Sequence, residues 1–364
     1  MATFHILPGQ TLIDDSWLNR MNDFERTETI KQCEFKEKHF GQVSYGKFIK
    51  KPEHFYPHIL PDGYEDKVYY GKYEEIENYF KTNNIEFHSE SLNLRSSQVC
   101  CINFLFPLFL DHNLATKSLS NLSQSHKNIF TNIKNVSRVE FEYTGDNNEY
   151  KILGESDNGK RGQNRTSIDV AIFWTDDAKN HLTLIEWKYT EKNFGGCRAC
   201  ADAKKKGNYA CLKVDVLSNP SNNCLLVGNP PLRNRTYWQI MDKAGIDLNK
   251  LVSDNGCPFQ GPFYQLMRQY LLAYAIKQSN PTLEIDLISI GFKNNISLHK
   301  VPDHLLELQQ IVGKKTDIIN LWNNCLSNVA PLQHIYVEDL TKAIEQTKAF
   351  DDDWRKYIAA RYSL

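Results

Sequence analysis

The chain has 364 residues, 41% of them hydrophobic and 24% charged, with a formal net charge of −1. This length and composition support a large folded core and exclude a disordered or collagen-like chain. The near-zero balance also excludes a chain-wide basic surface, so any nucleic-acid contact must draw on local positive charge.

The start, MATFHILPGQ, lacks the charged-then-apolar pattern of a signal peptide, and there is no run of about eighteen apolar residues to span a membrane. A cytoplasmic location is the expectation. Nine cysteines, an odd number in a long chain, argue against a secreted disulfide scaffold.

Residues 1–90 form an irregular N-terminal region, with a helix expected near 14–36 and another over 72–83, where Tyr73, Ile76, Tyr79 and Phe80 share one side. The stretch 92–110 is apolar nearly all round, so a buried helix is expected, capped by Ser96 or Ser97. Gln98 and Asn103 are its polar members and read most simply as satisfied core amides. A polar-faced helix is expected over 119–136. Residues 137–143, SRVEFEY, alternate as a strand, with Glu140 and Glu142 on one face. That face reads as solvent, or else places Glu142 beside a metal. The glycine-rich stretch 154–165 carries Lys160, Arg161 and Arg165 and reads as a phosphate-gripping flap or a solvated turn.

Two strands follow, 167–174 and 182–189, joined by a polar hairpin. In the first, Asp169 has the opposite parity to Ile168, Val170, Ile172 and Trp174. In the second, Glu186 and Lys188 share one face of an otherwise apolar strand. Burying a carboxylate and an ammonium there is costly unless something uses them. A hairpin brings Asp169 beside them, where two carboxylates can hold Mg²⁺ (or Mn²⁺) and the lysine can orient water and offset phosphate charge. A salt-bridged strand face is the plain alternative.

Cys197 and Cys200 form Cys-x-x-Cys, with Cys211 and Cys257 downstream. Four thiolates suit structural zinc or a [4Fe–4S] cluster. Cys224 sits in an apolar run and reads as core. Lys204, Lys205 and Lys206 lie in a local excess of positive charge, and Arg233 and Arg235 stand beside Tyr237 and Trp238. Such mixtures can grip a nucleic-acid backbone and stack bases. Residues 258–279 carry an apolar stripe at helical spacing, with Gln265, Arg268 and Gln269 off it. Residues 283–292 read as a strand, 311–326 as a helix, 333–337 as a short strand and 338–364 as a helical tail.

The motifs SSQVCCINFLFPL, VEFE, TSIDVAIFW, IEWKYTE, the cysteine cluster, CPFQGPFYQLMRQYLLA and WRKYIAARY, in that order, resemble a bacterial restriction-endonuclease-like group of the PD-(D/E)xK nuclease superfamily. The resemblance runs from about residue 84 to the C-terminus. Ile168-Asp169 stands for the usual Pro-Asp, and Glu186-Trp187-Lys188 for the second half-motif. The resemblance implies an α/β (α+β) fold, a mixed central sheet flanked by helices. It implies Mg²⁺-dependent hydrolysis of phosphodiester bonds in double- or single-stranded DNA, for restriction or defence against foreign DNA. A homodimer or a defence-system partner protein fits that role.

The resemblance also makes Gln265, on the helix after Glu-x-Lys, a polar contributor to the site. Many members place a glutamate on the first core helix, which here has none. A subset carries an iron–sulfur cluster whose cysteines straddle the nuclease motifs. All four here follow Glu-x-Lys, which favours zinc. The expected organisation is 1–90, a nuclease core 91–293 with a cysteine-rich insertion 190–258, and a C-terminal extension 294–364. Two other readings stay open: a nuclease-fold DNA-binding protein without catalysis, and a zinc or iron–sulfur protein whose Glu-x-Lys is incidental.

Overall fold

The computed structural model describes residues 15–41, 43–64, 67–156, 165–212, 217–227, 234–251, 256–348 and 351–364. Helix α1 (Asp23–Phe40) begins where the Asn22 side chain accepts the Glu25 N–H at 2.8 Å. That cap sets its start later than the helix expected near 14–36. A small hairpin, β1 (Gly46–Phe48) and β2 (Lys51–Tyr56), precedes α2 (Tyr73–Thr82).

Helix α3 (Ser97–Leu110) is capped by Ser96 and carries Pro107 near its end. Asp111 then accepts the N–H groups of Asn113 and Leu114 and starts α4 (His112–Ser125). The helix expected over 119–136 is therefore shifted toward the N-terminus, because the aspartate cap outweighs the weaker apolar pattern downstream.

Five strands make the central sheet in the order β3 (Asn135–Tyr143), β4 (Ile168–Thr175), β5 (Asn180–Trp187), β6 (Glu284–Gly291), β7 (Gln333–Tyr336). The first three form an antiparallel meander, and β6 and β7 join in parallel. Parallel pairing requires crossovers. The β5–β6 crossover passes through α5 (Arg198–Lys205), the single turns α6 (Pro220–Asn223) and α7 (Tyr237–Ile240), and the long helix α8 (Phe263–Ser279). The run around Cys224, expected to be core, is a turn after α6 in which Cys224 is only partly buried.

The β6–β7 crossover holds α9 (Leu306–Val312) and α10 (Ile318–Asn324) in place of one helix over 311–326. Gly313 at φ 145° and the cap Asp317 separate them. The tail is likewise two helices, α11 (Val337–Glu345) and α12 (Asp352–Tyr362).

The sheet is covered on both faces. Val170, Ile172, Ile185, Trp187 and Ile290 face one core with α3, α4, α11 and α12. Ala171, Leu182, Leu184 and Leu287 face the other with α8 and α10. The alternation along β4 and β5 therefore assigns Asp169 and Glu186 to the α8 side. Arg361 of α12 is buried and ties the tail to the core, donating to the carbonyls of Lys67 (2.7 Å) and Leu94 (3.1 Å) and to the Tyr357 hydroxyl. Among the described residues no single helix is long and apolar enough to cross a membrane.

Candidate active site

Antiparallel pairing of β4 and β5 ends at Val170 opposite Ile185. One residue further, Asp169 and Glu186 leave the ladder on the same face. Asp169 Oδ2 accepts the Trp187 backbone N–H at 2.7 Å. Lys188 Nζ lies 2.6 Å from Glu186 Oε1. Glu186 is 4% and Lys188 7% exposed, so the pair is almost fully desolvated. Such a pair persists only if its remaining hydrogen-bonding capacity is filled. Here α8 fills it: the side-chain amide of Gln265 donates to Glu186 Oε1 and that of Gln269 to Oε2. Gln265 and Gln269 stand one helical turn apart, so one helix face reaches both oxygens.

Glu142 completes the group. It is buried, with its Oε1 accepting from Gln98 Nε2 at 2.7 Å and its Oε2 from Ser167 Oγ at 2.8 Å. Its φ of 50° is left-handed backbone, which a glutamate adopts at some cost. The kink breaks the alternation of β3: Phe141 packs in the α3 core and Tyr143 in the α8 core, leaving Glu142 turned toward the site. Glu140, two residues back, instead pairs with Arg138 at 2.9 Å.

Burial pushes the Asp169 carboxyl well above its usual range, and the neighbouring Glu186 and Glu142 push it further. Lys188 and the Trp187 N–H act in the opposite direction. Burial alone would discharge Lys188, but Glu186, Glu191 and Asp169 hold its ammonium above the usual lysine range. Three carboxylates thus face one ammonium.

Glu142, Asp169, Glu186 and the two glutamines line a cleft of about 820 Å³, with Lys188 behind its wall on Glu186. On its N-terminal side, Arg95 lies 3.1 Å from Glu25 Oε1 and Lys192 lies 3.2 Å from Glu25 Oε2. Arg165 and Arg198 line it too. Deep beside β4, buried Glu155 accepts from Thr166 Oγ1 (2.7 Å) and the Tyr237 hydroxyl (2.6 Å), and Arg268 donates to Thr166 at 2.9 Å. This network anchors the residues that lead into Asp169.

Of the residues singled out from sequence, Asp169, Glu186, Lys188, Glu142 and Gln265 come together. Lys160, Arg161 and Arg233 lie outside the described residues. Lys204 and Lys205 end α5 and Lys206 caps it, but none of the three lines the cleft. Lys204 donates to Gln260, and Lys205 faces Asp202. Arg235 donates to the Gly154 carbonyl at 2.6 Å, and Tyr237 is buried, so both are committed to structure rather than to a base-stacking surface.

Gln98, which the sequence presents as a core amide, and Gln269, which lies off the apolar stripe, both bond site carboxylates; Ser167, Arg95 and Glu25 also reach the cleft. Spacing was a usable signal for Gln269, four residues after Gln265. Nothing local marked Arg95 or Glu25, which reach the cleft from separate elements.

The carboxylate oxygens are hard donors of the kind Mg²⁺ prefers. Among the described residues, no three side chains already stand as a ligand set around one point. The oxygens of Glu186 and Glu142 accept instead from amides, an ammonium and a hydroxyl.

Residues 24–363 match the family described as Restriction Endonuclease associating with ARP, and the chain belongs to that family. No match was found among curated proteins or among solved structures.

Proposed function

We propose that this member of the restriction-endonuclease family is a divalent-metal-dependent nuclease of the PD-(D/E)xK type that hydrolyses DNA phosphodiester bonds. The observation that carries the reading is the meeting of Glu142, Asp169 and Glu186 on the wall of one large cleft, with Lys188 paired to Glu186 behind it. The excess of carboxylate over ammonium favours a divalent cation, which Asp169, Glu186 and Glu142 would hold. Bound there, Mg²⁺ or Mn²⁺ would polarise a phosphate oxygen and acidify a water.

The side chains do the rest. Lys188 offers donors to a non-bridging phosphate oxygen and offsets charge that builds up on it. Gln265 and Gln269 keep the Glu186 carboxylate oriented, as outer partners of ligands do. Arg95, Lys192, Arg165 and Arg198 give the cleft the cations a phosphate backbone needs, with Glu25 holding two of them in place. Restriction or defence is the role that fits such an activity, and the family description adds association with ARP.

The test incubates the protein with linear, circular and single-stranded DNA, with and without Mg²⁺ or Mn²⁺, alongside Glu186→Gln. Metal-dependent cleavage lost in the variant supports the reading. DNA binding without cleavage under every condition would assign the chain to the non-catalytic class. Cleavage surviving Glu186→Gln would place the activity elsewhere.

A further inference from the structure

Beside the cleft lies a small, mainly apolar cavity of about 30 Å³ whose wall carries five cysteines: Cys197, Cys200, Cys211, Cys224 and Cys257. They arrive from separate stretches. Cys197 caps α5 and Cys200 is one turn into it. Cys211 sits in the short turn Ala210–Leu212, Cys224 follows α6, and Cys257 precedes the turn Pro258–Gln260. All five are free thiols. Four are buried, and Cys224 alone is partly exposed. Backbone holds two of the segments together, the Cys257 N–H donating to the Cys211 carbonyl at 2.8 Å.

A single buried thiol is an ordinary small hydrophobe. Four buried thiols brought from distant points of the chain to one cavity wall form a soft-donor set. We propose that this cavity is a structural zinc centre with Cys197, Cys200, Cys211 and Cys257 as ligands, and with Cys224 at the rim as a non-ligand.

Ligand pattern favours zinc among the soft metals: a Cys-x-x-Cys turn at the start of α5 with two further thiols is the closed four-sulfur set of structural zinc, and the cavity of about 30 Å³ has room for one ion. Among the described residues the thiols are not already drawn around one point, as expected of protonated sulfurs. Four thiols would release their protons to solvent as zinc takes their place, and the thiolates then close on the ion.

The centre also has a place in the architecture. Gly195, two residues before Cys197, donates its N–H to Gln265 Oε1 at 2.6 Å and accepts the Gln265 backbone N–H at 3.2 Å. Cys257 stands just ahead of α8. An ion joining the two segments therefore fixes the start of the helix whose amides hold Glu186. This consequence rests on the nuclease reading, whereas the metal itself does not.

The experiment measures zinc and iron in full-length protein purified without chelator, then exchanges the metal for Co²⁺. About one zinc per chain, negligible iron, and an intense thiolate-to-Co²⁺ charge-transfer band are expected. Cys257→Ser and Cys200→Ser should lose zinc at least about tenfold, while Cys224→Ser keeps it. Zinc-free wild-type protein that also fails to bind Co²⁺ overturns the proposal, as does iron with acid-labile sulfide. Loss of zinc in Cys224→Ser would overturn the ligand assignment. The wild-type Co²⁺ spectrum needs no variant to fold, and none of these readouts depends on DNA cleavage.

Discussion

The carboxylate of Asp169 accepts the backbone N–H of Trp187 at 2.7 Å, one residue beyond the last paired residues of β4 and β5. A side chain thus extends the ladder and leaves the second oxygen of Asp169 free of that bond. Asp169→Asn keeps an acceptor for Trp187 but loses the charge. It should fold with at least wild-type stability at neutral pH, because burial and two neighbouring glutamates already oppose ionisation there. Cleavage should fall about 100-fold or more. Asp169→Ala should be less stable than Asp169→Asn by about 1–3 kcal/mol, since the buried N–H is then unpaired. Urea unfolding and a cleavage assay check both halves.

Lys188→Met removes one member of a buried ion pair and leaves Glu186 uncompensated. A loss of about 3–5 kcal/mol in unfolding free energy is expected. The double variant Lys188→Met/Glu186→Gln removes both charges and should recover most of it. A double variant no more stable than Lys188→Met would show that the pair contributes little and that the loss comes from packing.

Lys192 lines the cleft, whereas Lys204, Lys205 and Lys206 do not. If the cleft carries the DNA backbone, Lys192→Ala should weaken binding and reduce the slope of log affinity against log salt by about one. The triple change of Lys204, Lys205 and Lys206 to Ala should alter that slope much less. Titrations at several salt concentrations in Ca²⁺ or chelator, without turnover, read this directly. The reverse ranking would move the DNA path to α5.

Arg361→Lys should destabilise the protein by about 3 kcal/mol or more. Its planar fork serves the carbonyls of Lys67 and Leu94 and the Tyr357 hydroxyl at once, and a lysine cannot reach all of them. The damage should spread to the site. Gln32 bonds both the Arg361 carbonyl (2.8 Å) and the hydroxyl of Tyr189, which follows Lys188. Hydrogen exchange at 186–189 should rise along with that of α12.

His334 gives the pH dependence. Burial, with smaller contributions from His299 and His126, lowers its imidazole to about 3. Its Nδ1 lies 2.7 Å from Ser289 Oγ. The folded value is below the unfolded one, so the fold favours the neutral ring. This stabilisation is complete above about pH 6.5 and is lost as pH falls toward 3, by up to ~1.4 kcal/mol per unit. Between pH 7 and 5, wild type should therefore lose ~2 kcal/mol more than His334→Asn. Equal losses would mean that the ring takes up its proton without cost.

The sequence alone determined the meander, the long helix α8 and the pairing of Asp169 with Glu-x-Lys, because each depends on a period the chain carries locally. A two-residue alternation puts Glu186 and Lys188 on one face whatever surrounds them, and the hairpin sets Asp169 opposite. The left-handed turn at Glu142 was not legible. Alternation alone would place Glu140 and Glu142 together, and only packing of Phe141 and Tyr143 into opposite cores forces them apart. Helix boundaries moved where a single cap, Asn22, Asp111 or Asp317, outweighed a diffuse apolar pattern. Tertiary structure also decided which polar groups serve the site. Gln98, Arg95 and Glu25 sit on helices and loops whose own sequences give no reason to point at a strand elsewhere in the chain, and Gln269 was marked only by its spacing from Gln265. Gln269 and Gln98 owe their roles to the desolvation of Glu186 and Glu142, which must find partners in whatever elements the fold packs against them, whereas Arg95 and Glu25 pair with each other at the cleft.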